Sequence, residues 1–183
     1  MKLFVNLKNN RVDQDYFNNL DNVIVIPNKE DLYKIDYNYL ASNNIIDNKF
    51  KYALLGHKDY RNTLTEEIIN KQIKESIKQD IKVILCVNSV EVLKQDLTNI
   101  NDYKNIIIAY EVDNYIGTNK TLSNKEIESF IKEVKSISND LKIVYGGGIT
   151  LDNVKELLKI KDLYGLLISS DYKNIDKYKE LLW

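Results

Sequence analysis

Three residues far apart in the chain have side chains suited to proton chemistry: Lys8, His57 and Glu111. An amine can hold developing negative charge, an imidazole can donate a proton near neutral pH, and a carboxylate can act as a base. Each follows a short apolar run. Two-residue alternation groups Phe4 with Asn6 and Lys8, Ala53 with Leu55 and His57, and Ile107 with Ala109 and Glu111. Taken singly, each has a plainer reading: a lysine at a strand end is ordinarily solvated, and a histidine after glycine is often a cap or a core residue. If the three faces open into one mouth, they form an acid–base site with electrostatic support.

The elements that must position them are read from hydrophobic period. Apolar, β-branched runs recur at Lys2–Leu7, Val23–Ile26, Tyr39–Ala41, Tyr52–Leu55, Ile81–Val87, Asn105–Tyr110, Leu141–Tyr145 and Tyr164–Ile168. Helical spacing lies between most of them, over Leu64–Gln79, Ser123–Ile137, Asp152–Ile160 and Ile175–Leu182. Ser123 followed by Glu126 has the form of a capping box. Strands alternating with helices predict parallel βαβ units, and eight of them predict a closed (β/α)8 barrel, with a doubly wound open sheet as the alternative.

The chain is short for that fold. Its 183 residues leave about 23 per unit, against about 31 in a typical barrel of about 250 residues. Asn43–Phe50 is too short for a crossover helix, so the third helix is expected to be missing or a single turn. A short second helix is expected near Glu30–Tyr37. No linker or repeat divides residues 1–183, which read as one domain.

Composition narrows the function. Lys and Arg total 26 against 27 Asp and Glu, which argues against a nucleic-acid partner. One Cys and one His exclude a zinc site or a disulfide framework built from those residues. Met1–Lys8 is too polar for a signal peptide, and no apolar run reaches membrane-spanning length, so an intracellular, cytoplasmic protein with no membrane partner is expected. No cofactor is expected.

The six glycines fall at strand ends or in loops: Gly56, Gly117, Gly146, Gly147, Gly148 and Gly165. Gly146–Gly148 could offer backbone N–H groups to an anion, or form only a tight turn. Gly117 to Thr121 lacks the spacing of a P-loop. Cys86, inside the fifth run, reads as a small buried hydrophobe.

Read in order, these segments resemble the triosephosphate isomerase family. Asn6-Leu7-Lys8 is similar to its Asn-Trp-Lys opening, and Ala41-Ser42-Asn43 to its Ala-Gln-Asn strand end. Gly56-His57-Lys58-Asp59-Tyr60-Arg61 resembles Gly-His-Ser-Glu-Arg-Arg. Ala109-Tyr110-Glu111, then Ile116-Gly117-Thr118-Asn119-Lys120-Thr121, resembles Ala-Tyr-Glu and the flexible loop Ile-Gly-Thr-Gly-Lys-Thr. Tyr145-Gly146-Gly147-Gly148 matches Tyr-Gly-Gly-Ser, and the stretch from Asp162 to Ser169-Ser170 matches a segment ending in Gly-Gly. There are departures too. Val112-Asp113-Asn114 stands where the family has Pro-Val-Trp, Asp59 stands for Glu, Gly148 for Ser, and Ser169-Ser170 for the Gly pair. The long loop after the third strand, through which the family dimerises, is absent.

The resemblance implies interconversion of dihydroxyacetone phosphate and glyceraldehyde 3-phosphate, with a small phosphorylated triose as substrate. It implies Glu111 as base, His57 as a neutral electrophile as described for this enzyme family, and Lys8, beside Asn6, as the holder of substrate charge. Gly117, Gly148, Ser169 and Ser170 would cradle the phosphate, residues 113–119 would form a lid, and Asp59 would orient Lys8. Thr63 and Thr65 are candidate caps for the helix after His57. The missing loop implies a monomer, or a dimer through another surface. A silent ligand- or protein-binding barrel and another phosphosugar isomerase remain as alternatives.

Overall fold

The computed structural model describes residues 1–18, 20 and 22–183. Eight strands, all parallel, form one sheet: β1 (Lys2–Asn6), β2 (Val23–Ile26), β3 (Ala41–Asn43), β4 (Tyr52–Leu55), β5 (Lys82–Val87), β6 (Ile106–Tyr110), β7 (Lys142–Gly146) and β8 (Gly165–Ile168). Their order is β2-β1-β8-β7-β6-β5-β4-β3. The ends meet through a single bridge, Val25 to Leu40, where the Val25 N–H donates to the Tyr39 carbonyl at 3.1 Å. The sheet is thus a nearly closed (β/α)8 barrel.

Alternation sorts the strand side chains into two cores. Phe4, Ile24, Ile26, Ala41, Leu54, Ile84, Cys86, Ile107, Ala109, Val144 and Leu167 fill the barrel. Tyr39, Tyr52 and Tyr164 pack beneath them at the amino ends of the strands. Residues of the other parity, such as Val5, Val25, Leu55, Leu85 and Ile108, face the outer layer.

That layer consists of α1 (Lys58–Arg61), α2 (Glu66–Lys78), α3 (Val90–Asp96), α4 (Asn124–Ile137), α5 (Val154–Leu157) and α6 (Ile175–Leu182). Ile69 and Ile73 of α2, and Ile127, Phe130, Ile131 and Val134 of α4, are buried in this outer core. Thr65 caps α2 and accepts from the Ile68 N–H, while Ser123 and Glu126 form the expected capping box on α4.

Trimming goes further than the sequence predicts. Residues 44–51 hold no helix, as expected, but neither does Glu30–Tyr37, which is a series of turns. There the Asn28 side chain accepts from the Glu30 N–H at 2.9 Å, a local bond that competes with helix initiation. Between β1 and β2 the described residues form a 3-10 turn, Gln14–Phe17. The helix expected over Asp152–Ile160 is one turn, Val154–Leu157. The third strand starts two residues later than Tyr39–Ala41, at Ala41, with Leu40 supplying only the closing bridge. No helix of the described residues is long and apolar enough to cross a membrane.

Candidate active site

The carboxyl ends of the strands surround a cleft at one end of the barrel. Lys8 follows β1 in a left-handed conformation (φ 50°), and its N–H donates to Asn6 Oδ1 at 3.0 Å. Asn6 is on the inner face and almost fully buried. A non-glycine residue held in that conformation is costly and persists where the surroundings impose it. The cost here fixes the point from which the Lys8 amine leaves the backbone.

Glu111 follows β6 with inner parity, as alternation predicts, and its N–H donates to the Val87 carbonyl at 2.9 Å. Glu111 is half-buried as a residue and lines the cleft. The protein around it still removes enough water to raise its pKa above the ordinary glutamate value. His57, the Cys86 thiol, Lys8 and Lys58 pull in the opposite direction. Cys86 does more than fill the barrel: burial and Glu111 push its own pKa well up, so it stays protonated and donates to that carboxylate. Its inner parity beside Ala109 in the β5–β6 register is the signal that could have found it.

His57 reaches the cleft by a different route from the one predicted. Ala53 and Leu55 face the outer core, and Leu54 fills the barrel. Continued alternation would therefore send His57 outward. Gly56 breaks the pleat at φ +66° and turns His57 in, where it is 2% exposed. The bend is held by Arg61, whose Nε donates to the Gly56 carbonyl at 2.8 Å. Its Nη2 donates to the Cys86 carbonyl at 2.7 Å and pairs with the buried Asp96 at 2.6 Å. One guanidinium thus ties together the ends of β4 and β5. Arg61 is visible in sequence only as the end of the Gly56–Arg61 motif, and Asp96 does not stand out, because its partner lies on another element.

His57 itself caps the short α1, accepting at Nδ1 from the Asp59 N–H at 3.4 Å; of the two candidate threonines, Thr65 caps the longer helix that follows, α2, and Thr63 does not. The Asp59 carboxylate sits 3.3 Å from the same Nδ1. Asp59 therefore attends His57, not Lys8. The two contacts demand opposite states of Nδ1. The amide is fixed by the helix start, whereas the carboxylate is 62% exposed to water. His57 Nε2 is buried and has no hydrogen-bond partner among the described residues.

Two compartments of the cleft meet at Asn6 and Lys8. One, of about 220 Å³, is lined by Asn6, Lys8, Glu111, Gly117, Gly148, Ser169 and Ser170. The other, of about 510 Å³, lies toward His57 and Asp59. The structure thus brings every predicted site residue to the cleft. Gly148 (φ +59°) also has a packing role, since any Cβ there would overlap the Lys120 carbonyl at the end of the 113–119 segment. Among the described residues no group of three His, Cys, Asp or Glu side chains could hold a metal ion.

A parallel eight-stranded barrel with acid–base groups at its carboxyl mouth defines a class of barrel proteins whose chemistry sits on the βα loops. A sequence model described as triosephosphate isomerase matches residues 39–182, and the chain belongs to that family. Its relatives include the triosephosphate isomerases of Mycoplasma mobile, 30% identical over 160 residues (78% of this chain, 66% of that protein), and of Mycoplasmoides gallisepticum, 32% identical over 158 residues (72% and 63%). That of Mycoplasma pneumoniae is 28% identical over 185 residues (84% and 76%). The chain spans about two-thirds of the length of the first two.

Proposed function

We propose that the protein interconverts dihydroxyacetone phosphate and glyceraldehyde 3-phosphate by moving one proton between adjacent carbons. Glu111 takes the proton from the carbon beside the carbonyl. The Nε2–H of His57 donates to the carbonyl oxygen, and the Lys8 ammonium offsets the charge of the enediolate. Glu111 then returns the proton to the neighbouring carbon while His57 exchanges protons with the two oxygens. Asn6 fixes the backbone of Lys8, and Asp59 supports His57. Backbone N–H groups of Gly117, Gly148, Ser169 and Ser170 hold the phosphate, and residues 113–119 form the lid that excludes water. The substrate is a phosphorylated triose, and the reaction runs in the cytoplasm.

The observation that carries this reading is the electrostatics of Glu111, a desolvated carboxylate whose charge is supported by Lys8. A desolvated base of raised pKa is better matched to a weakly acidic C–H than a solvated one. The test is a coupled isomerase assay on purified protein, run beside Glu111→Asp. That change withdraws the carboxylate by one methylene, and a misplacement near 1 Å costs about 10²-fold. Turnover that falls by about that factor supports Glu111 as the base. Unchanged turnover reassigns it.

A further inference from the structure

The cleft is larger than a triose needs. The compartment toward His57, at about 510 Å³, has more than twice the volume of the one holding the proposed phosphate cradle, about 220 Å³. It opens from the same Asn6 and Lys8, so a molecule with its phosphate in the smaller compartment has its reacting carbons at the junction. Anything attached beyond those carbons extends into the larger space.

The chemistry of the wall indicates what would extend there. Asn9, Asn28 and Asn43 provide amides, and Tyr60 a phenol. Amides both donate and accept, which suits hydroxyl groups. Of the buried side-chain atoms without a hydrogen-bond partner among the described residues, Asn43 Oδ1 and His57 Nε2 both belong to residues of this wall. An unpartnered buried acceptor is a cost that a ligand hydroxyl relieves. A second phosphate fits less well. The Arg11 charge is already taken by Glu30 and Asp31, Lys8 is shared with the phosphate compartment, and Glu30 and Asp59 on the wall offset the remaining cation, Lys29.

Resting on the function proposed above, we propose that this compartment accepts a hydroxylated carbon chain, so that the protein also isomerises 1-phosphoketoses of four and five carbons. The step balances without any co-reactant. From CH2(OPO3)–CO–CHOH–R, Glu111 removes the C3 proton and His57 protonates O2, giving an enediol across C2 and C3. Glu111 delivers the proton to C2, and O3 returns a proton to His57 Nε2 as C3 becomes the carbonyl. The product, CH2(OPO3)–CHOH–CO–R, is an isomer of the substrate.

The experiment incubates the protein in D2O with dihydroxyacetone phosphate, D-ribulose 1-phosphate or D-xylulose 1-phosphate and follows deuterium entry by proton NMR. The two pentuloses differ only in configuration at C3, so one of them presents its C3 proton to Glu111. Deuterium is expected at C3 of one epimer. Asn43→Ala is expected to slow that exchange about tenfold more than exchange into dihydroxyacetone phosphate, a factor that matches one hydrogen bond. If Asn43→Ala fails to fold, Lys29→Trp narrows the compartment from an exposed position on its wall and is expected to show the same selective loss. Exchange into the triose phosphate but into neither pentulose overturns this inference and leaves the isomerase reading standing. Exchange into none of the three overturns both. Pentulose exchange indifferent to both substitutions overturns the assignment of the compartment.

Discussion

At Glu111 the demands of the proposed chemistry oppose those of stability. Burial raises its folded-state pKa above the unfolded value, so ionising it in the folded protein carries a cost. That cost is fully present above the folded pKa and vanishes as pH falls below the ordinary glutamate value of about 4.3. Glu111→Gln is therefore expected to raise Tm at neutral pH while removing activity, with the gain shrinking toward pH 4. A thermal scan at both pH values checks this, and a Tm at or below wild type at pH 7 contradicts it. Arg61 presents the opposite case. Burial is the largest influence on Asp96 and raises its carboxyl pKa despite the guanidinium. Removing one partner of a buried pair strands the other, at about 3–5 kcal/mol. Urea denaturation of Arg61→Ala should show a loss of that order, because two backbone carbonyls lose their donor along with Asp96.

At the scale of elements, the segment leaving β6 is the part that must move if residues 113–119 close over a ligand. It begins with a 3-10 turn, Asp113–Tyr115, and the Thr118 hydroxyl donates to the Tyr115 carbonyl at 2.8 Å. Its far end rests on the β7 loop, where Gly148 approaches Lys120 and the Leu122 N–H donates to the Tyr145 hydroxyl at 2.9 Å. Gly148→Ala adds a methyl where Lys120 backbone lies and requires a positive φ that alanine resists. It should displace the segment and raise KM for the proposed triose phosphate, with a smaller effect on Tm, since the strands behind it are untouched. Steady-state kinetics and a melt separate the two. An unchanged KM would mean that the segment adjusts without consequence.

For the whole molecule, the short connection between β3 and β4 is the feature that bears on assembly. Eight residues, 44–51, must leave one strand and return to the next. Ile45 and Ile46 pack against the outer core, and Phe50 is buried in it. At about 3.5 Å per residue, out and back, this connection has no length left for an arm that enters a partner. Light scattering should find a monomer of 21.4 kDa. A dimer built around residues 43–50 beside the partner's Lys8 would overturn the argument.

Much of this was legible in the sequence, for a physical reason. Alternation has a period of two whatever the neighbours, so the eight strands and the inner parity of Asn6 and Glu111 follow from local pattern, and the loss of the third helix follows from the length of residues 43–50. The capping box on α4 is local as well. Alternation groups His57 with Ala53 and Leu55, a face that the fold turns outward. Only the bend at Gly56, tied by Arg61 to Asp96 and to the end of β5, turns His57 inward. The same holds for Asp59, which sits beside His57 because α1 starts there, and for Cys86, which becomes a donor only when β5 pairs with β6. The two-compartment shape of the cleft belongs here too. A pattern along one segment determines which face is buried. Which groups then meet depends on register, turn geometry and partners contributed by distant segments, and those exist only once the barrel has closed.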